Sequence, residues 1–245
     1  RIPGSRNLVI CLDGTSNKFG LKNTMIVQLY QKTPDCSHCG QYFEQLTYYN
    51  SGIGTYAADD TIKSPTKYLV TLFKSVRDMA FAWHFQEIVQ RAYHWLSDNH
   101  HPGDRIYLFG FSRGAYQVRA LAGMINEVGL IFRGNTEQIP FAYEIYAKKS
   151  TINYCSTFRR AFSRRDDIRI HFMGIWDCVS SVGIFKNIEL PSTKFSPNVD
   201  YYRHTLALDE RRVKFIPEFK QHMEYRTGPC PRIKEVWFTG RHSDV

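Results

Sequence analysis

Apolar positions in this chain fall into short buried runs separated by longer stretches with helical spacing. Asn7-Leu8-Val9-Ile10-Cys11-Leu12 is an early apolar run, ended by Asp13-Gly14-Thr15. A run of that length closed by turn residues predicts a buried strand. Asn23 is placed to cap a short helix through about Lys32. A loop then leads to a strand near Gln45-Leu46-Thr47-Tyr48-Tyr49, and Gly52-Ile53-Gly54-Thr55 turns the chain. From about Ser64 to Ser97 the pattern is helical, with Phe81, Phe85, Ile88, Ala92 and Trp95 on one stripe. His101-Pro102-Gly103-Asp104 ends it. Arg105-Ile106-Tyr107-Leu108-Phe109 predicts the next strand. After it Ala115, Val118, Ala122 and Ile125 fall on one helical face. Residues 129–167 look irregular, rich in Tyr, Phe and Arg. Two further strands are predicted at Ile168–Trp176 and Ile233–Phe238. Between them Pro191, Pro197, Pro217, Pro229 and Pro231 mark a loop-rich segment. Strands alternating with helices predict an α/β fold: a mostly parallel sheet between two helical layers. We expect one domain over residues 1–245, with loop-rich insertions at 131–167 and 184–231.

The composition supports a packed globular chain, because 43% of its 245 residues are hydrophobic and 15% aromatic. No apolar stretch reaches the length of a membrane span, and no secretory signal opens the chain. The net charge of +9 includes a tight cluster at Arg159, Arg160, Arg164 and Arg165, partly offset by Asp166 and Asp167. Such a face suits an anionic membrane surface, or is simply solvated. No nucleic-acid-binding motif accompanies it, so nucleic acid is not expected as a partner. Six scattered cysteines favour a reducing, cytoplasmic setting. Cys36-Ser37-His38-Cys39 is a lone C-x-x-C without the second pair that a structural zinc site needs. Neither a metal nor a cofactor is called for.

The chemistry concentrates at Gly110-Phe111-Ser112-Arg113-Gly114, a G-x-S-x-G sequence between a predicted strand and a predicted helix. The motif alone arises by chance in roughly one chain in ten of this length. Its context is what a nucleophile elbow requires, namely a sharp turn that projects the serine hydroxyl from the sheet. A serine nucleophile needs a base, and the base needs an orienting carboxylate. Asp177 follows the strand ending at Trp176, and His242 comes four residues after Phe238. Both then fall at the carboxyl edge of the sheet, with Ser112. His171, His204 and His222 are rival bases. The backbone N–H of Arg113 is expected to stabilise the oxyanion, joined by Gly14 or Thr15. Asp13 is placed beside the substrate, with bracing of its own loop or holding a metal as alternatives. Asp13-Gly14-Thr15 also suggests an aspartyl phosphohydrolase. That chemistry wants a second aspartate where Cys11 stands.

Five blocks carry a resemblance over nearly the whole chain. They are Leu12-Asp13-Gly14-Thr15-Ser16-Asn17, Tyr49-Asn50-Ser51-Gly52-Ile53-Gly54-Thr55, Gly110-Phe111-Ser112-Arg113-Gly114-Ala115, Trp176-Asp177-Cys178-Val179-Ser180-Ser181-Val182-Gly183, and Trp237-Phe238-Thr239-Gly240-Arg241-His242-Ser243-Asp244-Val245. The chain resembles the α/β-hydrolase domain family that includes the type VI secretion (Tle-like) phospholipase effectors and fungal homologues. The resemblance implies an α/β-hydrolase-like three-layer sandwich and a Ser112, Asp177, His242 triad. It also implies esterase or phospholipase A activity on a lipid ester. The family pattern runs on with glycines where this chain reaches Val245, so the His242 loop is expected to be weakly anchored and the domain cut short there. An amidase or thioesterase would use the same triad, and a non-catalytic binding domain would share the fold.

Overall fold

The computed structural model describes residues 5–14, 23–33, 44–52, 67–148, 152–179, 190, 196–211 and 232–245. Six strands form one sheet: β1 (Asn7–Leu12), β2 (Gln45–Asn50), β3 (Arg105–Phe111), β4 (Ile170–Trp176), β5 (Val199–Ala207) and β6 (Ile233–Phe238). Their order is β2-β1-β3-β4-β5-β6, and every pairing is parallel. The helices are α1 (Met25–Lys32), α2 (Lys67–Asn99), α3 (Arg113–Val128), α4 (Ile139–Ala147) and α5 (Ile152–Phe162). The architecture is the α/β-hydrolase-like three-layer arrangement expected from the element order. Among the described residues no helix is long and apolar enough to cross a membrane.

The unbroken apolar run of β1 reflects burial on both faces, as central parallel strands require. Leu8, Ile10 and Leu12 join a core built with Phe85, Ile88, Ala92 and Leu96 of α2 and with α3 and α4. Val9 and Cys11 point the other way, onto Ile26 of α1 and Phe111. The side chain that caps α1 is Thr24 rather than Asn23. Its hydroxyl oxygen accepts the Val27 N–H at 3.2 Å.

Two expectations are corrected. The segment 131–167 is not loop-rich: a short 3₁₀ turn at Thr136–Gln138, then α4 and α5, occupy much of it. Ile139, Ala142, Tyr143 and Tyr146 of α4 are buried in the core shared with α3. The stretch read as a loop between Trp176 and Ile233 contains β5. The Cys36 and Cys39 pair lies outside the described residues.

The basic cluster also sits away from the chemistry. Arg164 donates to the Ser97 carbonyl near the end of α2, and Arg159 pairs with Asp167 at 3.6 Å. These residues precede β4 and flank the amino edge of the sheet. Ser112, Asp177 and His242 all follow strands, at the opposite edge. Arg159, Arg160, Arg164 and Arg165 therefore lie at the edge away from Ser112.

Candidate active site

Ser112 is the one residue between β3 and α3. Its backbone adopts φ 56°, ψ −120°, a left-handed state that costs a non-glycine residue about 1–3 kcal/mol. The motif glycines make the turn sterically feasible. A Cβ on Gly110 would stand 2.6–2.7 Å from backbone atoms of Gly114 and Ala115. A Cβ on Gly114 would stand 2.2 Å from the Leu12 carbonyl oxygen, so α3 starts in direct contact with the end of β1. The turn is also tied to β4 through the Ser112 N–H, which donates to the Trp176 carbonyl at 2.9 Å.

Asp177, the first residue after β4, is fully buried and also left-handed, at φ 41°. Its N–H donates to the Thr205 carbonyl at 2.7 Å. Its Oδ1 accepts the Ala207 N–H at 3.2 Å, and its Oδ2 lies 2.5 Å from His242 Nδ1. An ionised carboxylate only accepts, so the His242 proton belongs on Nδ1. The bare Nε2 then lies 2.8 Å from Ser112 Oγ, positioned to accept the hydroxyl proton. The imidazole stacks on the Phe111 ring at 4.8 Å and 27°. Ser112 and His242 are each 5% exposed, so the hydrogen-bonded chain is largely shielded from water.

The loop carrying His242 is firmly held, against the expectation of weak anchoring. Asp209 accepts the Gly240 N–H at 2.8 Å, Asp244 the Arg241 N–H at 2.8 Å, and Glu210 the His242 N–H at 3.2 Å. The Leu208 and Asp209 N–H groups return bonds to Phe238 and Gly240 carbonyls. Val245 is buried. Sequence reasoning missed Asp209 and Glu210 because it missed β5. An acidic pair just after a strand is a carboxyl-edge signal, visible only once that strand is recognised.

The β1 loop departs from its expected role. Asp13 is fully buried and braces its own loop, the alternative role the sequence left open for it. Its Oδ1 accepts the Gly14 N–H at 2.6 Å; its Oδ2 accepts the Thr24 hydroxyl at 2.6 Å and the Tyr49 hydroxyl at 3.1 Å. The Gly14 N–H is thus committed to Asp13 rather than offered to an oxyanion. Thr15 lies outside the described residues. Arg113 opens α3, where the first backbone N–H groups have no intrahelical acceptor and the helix dipole favours negative charge. Burial pulls the Arg113 side-chain pKa down to about 10, which leaves it cationic at neutral pH.

Two of the rival histidines, His171 and His204, are placed elsewhere. His171 lies within β4, edge-on to Tyr107 and Tyr201. His204 is buried in β5 against Glu235. His222 is outside the described residues.

A family model described as the type VI secretion system phospholipase effector Tle1-like catalytic domain matches residues 6–245. The chain belongs to that family. The uncharacterized protein YEL023C of Saccharomyces cerevisiae is a relative, 38% identical over 221 residues. That alignment covers 86% of this chain and 32% of the yeast protein, so the chain spans about a third of its relative's length. A solved structure of the Tle1 effector bound to the VgrG spike of the type 6 secretion system aligns over 98% of this chain and 50% of its own. Its TM-score is 0.50 at 19% identity, a likeness of fold. The Tle1-like domain is the catalytic domain of phospholipase effectors, and this chain carries that hydrolase-type domain.

Proposed function

We propose that this chain is a serine hydrolase of carboxylic esters, acting on phospholipids as a phospholipase A. The observation that carries the reading is the hydrogen-bonded series Asp177, His242, Ser112 on a strained strand-to-helix turn. Membership in a family of phospholipase-effector catalytic domains supports the substrate class.

In this mechanism Ser112 Oγ attacks the acyl carbonyl carbon as its proton passes to His242 Nε2. The carbonyl π electrons move onto oxygen and give a tetrahedral oxyanion. The Arg113 N–H at the start of α3 stabilises that charge, and the Thr15 N–H is proposed as the second donor. Collapse breaks the bond to the leaving alkoxide, which takes the proton from His242. Water then attacks the acyl-serine, giving its proton to Nε2, and the acid leaves as Ser112 regains a proton. Asp177 stays ionised throughout; it holds the Nδ1 proton and stabilises the transient imidazolium. The whole reaction is proposed to run within one domain over residues 1–245.

A fluorophosphonate probe is expected to label wild-type protein at Ser112, as read by peptide mass spectrometry. Phosphatidylcholine vesicles and p-nitrophenyl esters are expected to be hydrolysed, and the matching anilides to be poor substrates. Folded protein that neither reacts with the probe nor releases fatty acid would instead be a binding domain. Faster anilide than ester cleavage would make it an amidase.

A further inference from the structure

His204 is a second buried histidine, 1% exposed, in β5. In the sheet register it stands between Ile175 of β4 and Glu235 of β6. Its Nε2 lies 3.2 Å from the backbone nitrogen of Cys178, whose N–H can only donate. Nε2 is therefore the bare nitrogen. The ring proton belongs on Nδ1, 3.1 Å from Glu235 Oε1. Cys178 directly follows Asp177, and its sulfur accepts from Arg119 Nη1 of α3 at 3.1 Å. The turn is thus gripped at both the backbone and the side chain of the residue after Asp177. It needs that grip, because a left-handed aspartate persists only where its surroundings over-determine it.

We propose that His204 is a positioning residue: its neutral imidazole pins the Cys178 N–H and so holds the strained turn that aims the Asp177 carboxylate at His242. The inference rests on reading Ser112, His242 and Asp177 as the reacting set.

The charged groups facing His204 are Glu235 from β6, Asp177 from the turn after β4, and Arg119 from α3. Burial lowers the His204 pKa and Arg119 adds to that, while Glu235 and Asp177 oppose it. The neutral ring is therefore the form that belongs to the folded state. Protonation would place a donor on Nε2 against another donor and release the turn. The folded pKa lies below the unfolded one. The contact is thus complete above the unfolded value of about 6.5 and is lost as pH falls through the lower folded value.

The test compares wild type with His204→Gln and His204→Leu, using p-nitrophenyl butyrate from about pH 4.5 to pH 8. Glutamine keeps an acceptor near the Nε2 position and does not titrate. Leucine removes it. His204→Leu is expected to lower kcat on the order of 10- to 100-fold with KM unchanged, the scale of a small misplacement of reacting groups. Gln is expected to restore kcat to within about threefold and to remove from the acid limb the step due to His204 protonation, a fall no larger than the roughly 10- to 100-fold that Leu costs. A folded His204→Leu with wild-type kcat, or a His204→Gln acid limb that superimposes on wild type, overturns the proposal. Nitrogen NMR of the histidine rings gives a readout independent of turnover. A bare Nε2 on His204 at neutral pH, and His242 signals that move as His204 titrates, are expected. The opposite tautomer, or a His242 ring blind to that titration, overturns the positioning role. Loss of Ser112-dependent turnover in wild type would sink the functional reading instead, and leave the NMR result to judge the turn.

Discussion

Ser112→Ala is expected to lower kcat by about 10⁴- to 10⁶-fold while the protein stays folded. The magnitude follows from what the hydroxyl does. In the proposed mechanism Ser112 Oγ forms the bond to substrate, and its hydroxyl lies 2.8 Å from His242 Nε2. Alanine fits the same backbone space, so the left-handed turn is neither relieved nor worsened. The N–H groups at the start of α3 survive, and they leave a residual rate above the uncatalysed one. The measurement is hydrolysis of p-nitrophenyl esters and phosphatidylcholine vesicles by matched wild-type and variant preparations, with circular dichroism as the folding control. A variant that retains more than about a tenth of wild-type kcat would remove Ser112 as nucleophile, because no triad serine is that dispensable.

Gly114→Ala should be among the most destabilising single methyl groups in the chain. The new Cβ would lie 2.2 Å from the Leu12 carbonyl oxygen and 2.5 Å from that of Asp13. Neither atom is the end of a flexible side chain. Relief requires α3 to withdraw from β1, and α3 is buried along nearly its whole length. Overpacking against movable side chains costs about 1–3 kcal/mol, and a fixed backbone clash should exceed that. A small domain has only about 5–15 kcal/mol to lose. Gly134→Ala is the control. It also has a positive φ, 86°, but nothing lies within 4 Å of its added Cβ. Only the backbone term of about 1 kcal/mol applies there. Urea unfolding midpoints of the two variants measure the difference. A Gly114→Ala protein as stable as Gly134→Ala would mean that the start of α3 is looser than the contact with Leu12 implies.

The legible elements were those whose apolar pattern is set by burial on both faces. β1, β3 and β4 are continuous or nearly continuous apolar runs because helices cover both sides of the central sheet. The strand-to-helix turn at Ser112 was legible because its glycines are demanded by backbone contacts that no other residue tolerates. β5 was not legible. Val199-Asp200-Tyr201-Tyr202-Arg203-His204-Thr205-Leu206-Ala207 carries no clean period, since its polar side chains are matched by neighbours on other segments. Asp200 bonds Arg169, and His204 bonds Glu235. α4 and α5 were hidden for a related reason. They are short, and their apolar faces acquire meaning only against α3.

The sequence by itself determined the α/β class, the strand-to-helix turn at Ser112, and the order Ser112, Asp177, His242 along the chain. These follow from local pattern and from residue types with narrow chemistry. Only the tertiary structure decided which histidine faces Ser112, because nine histidines share one chemistry and differ only in what surrounds them. It also showed Asp13 as a buried brace of its own loop, with the Gly14 N–H donating to it. It brought Asp209 and Glu210 under the His242 loop, and His204 under the Asp177 turn. Those partners lie about thirty residues apart in sequence and meet only because parallel pairing of β4, β5 and β6 aligns their carboxyl ends.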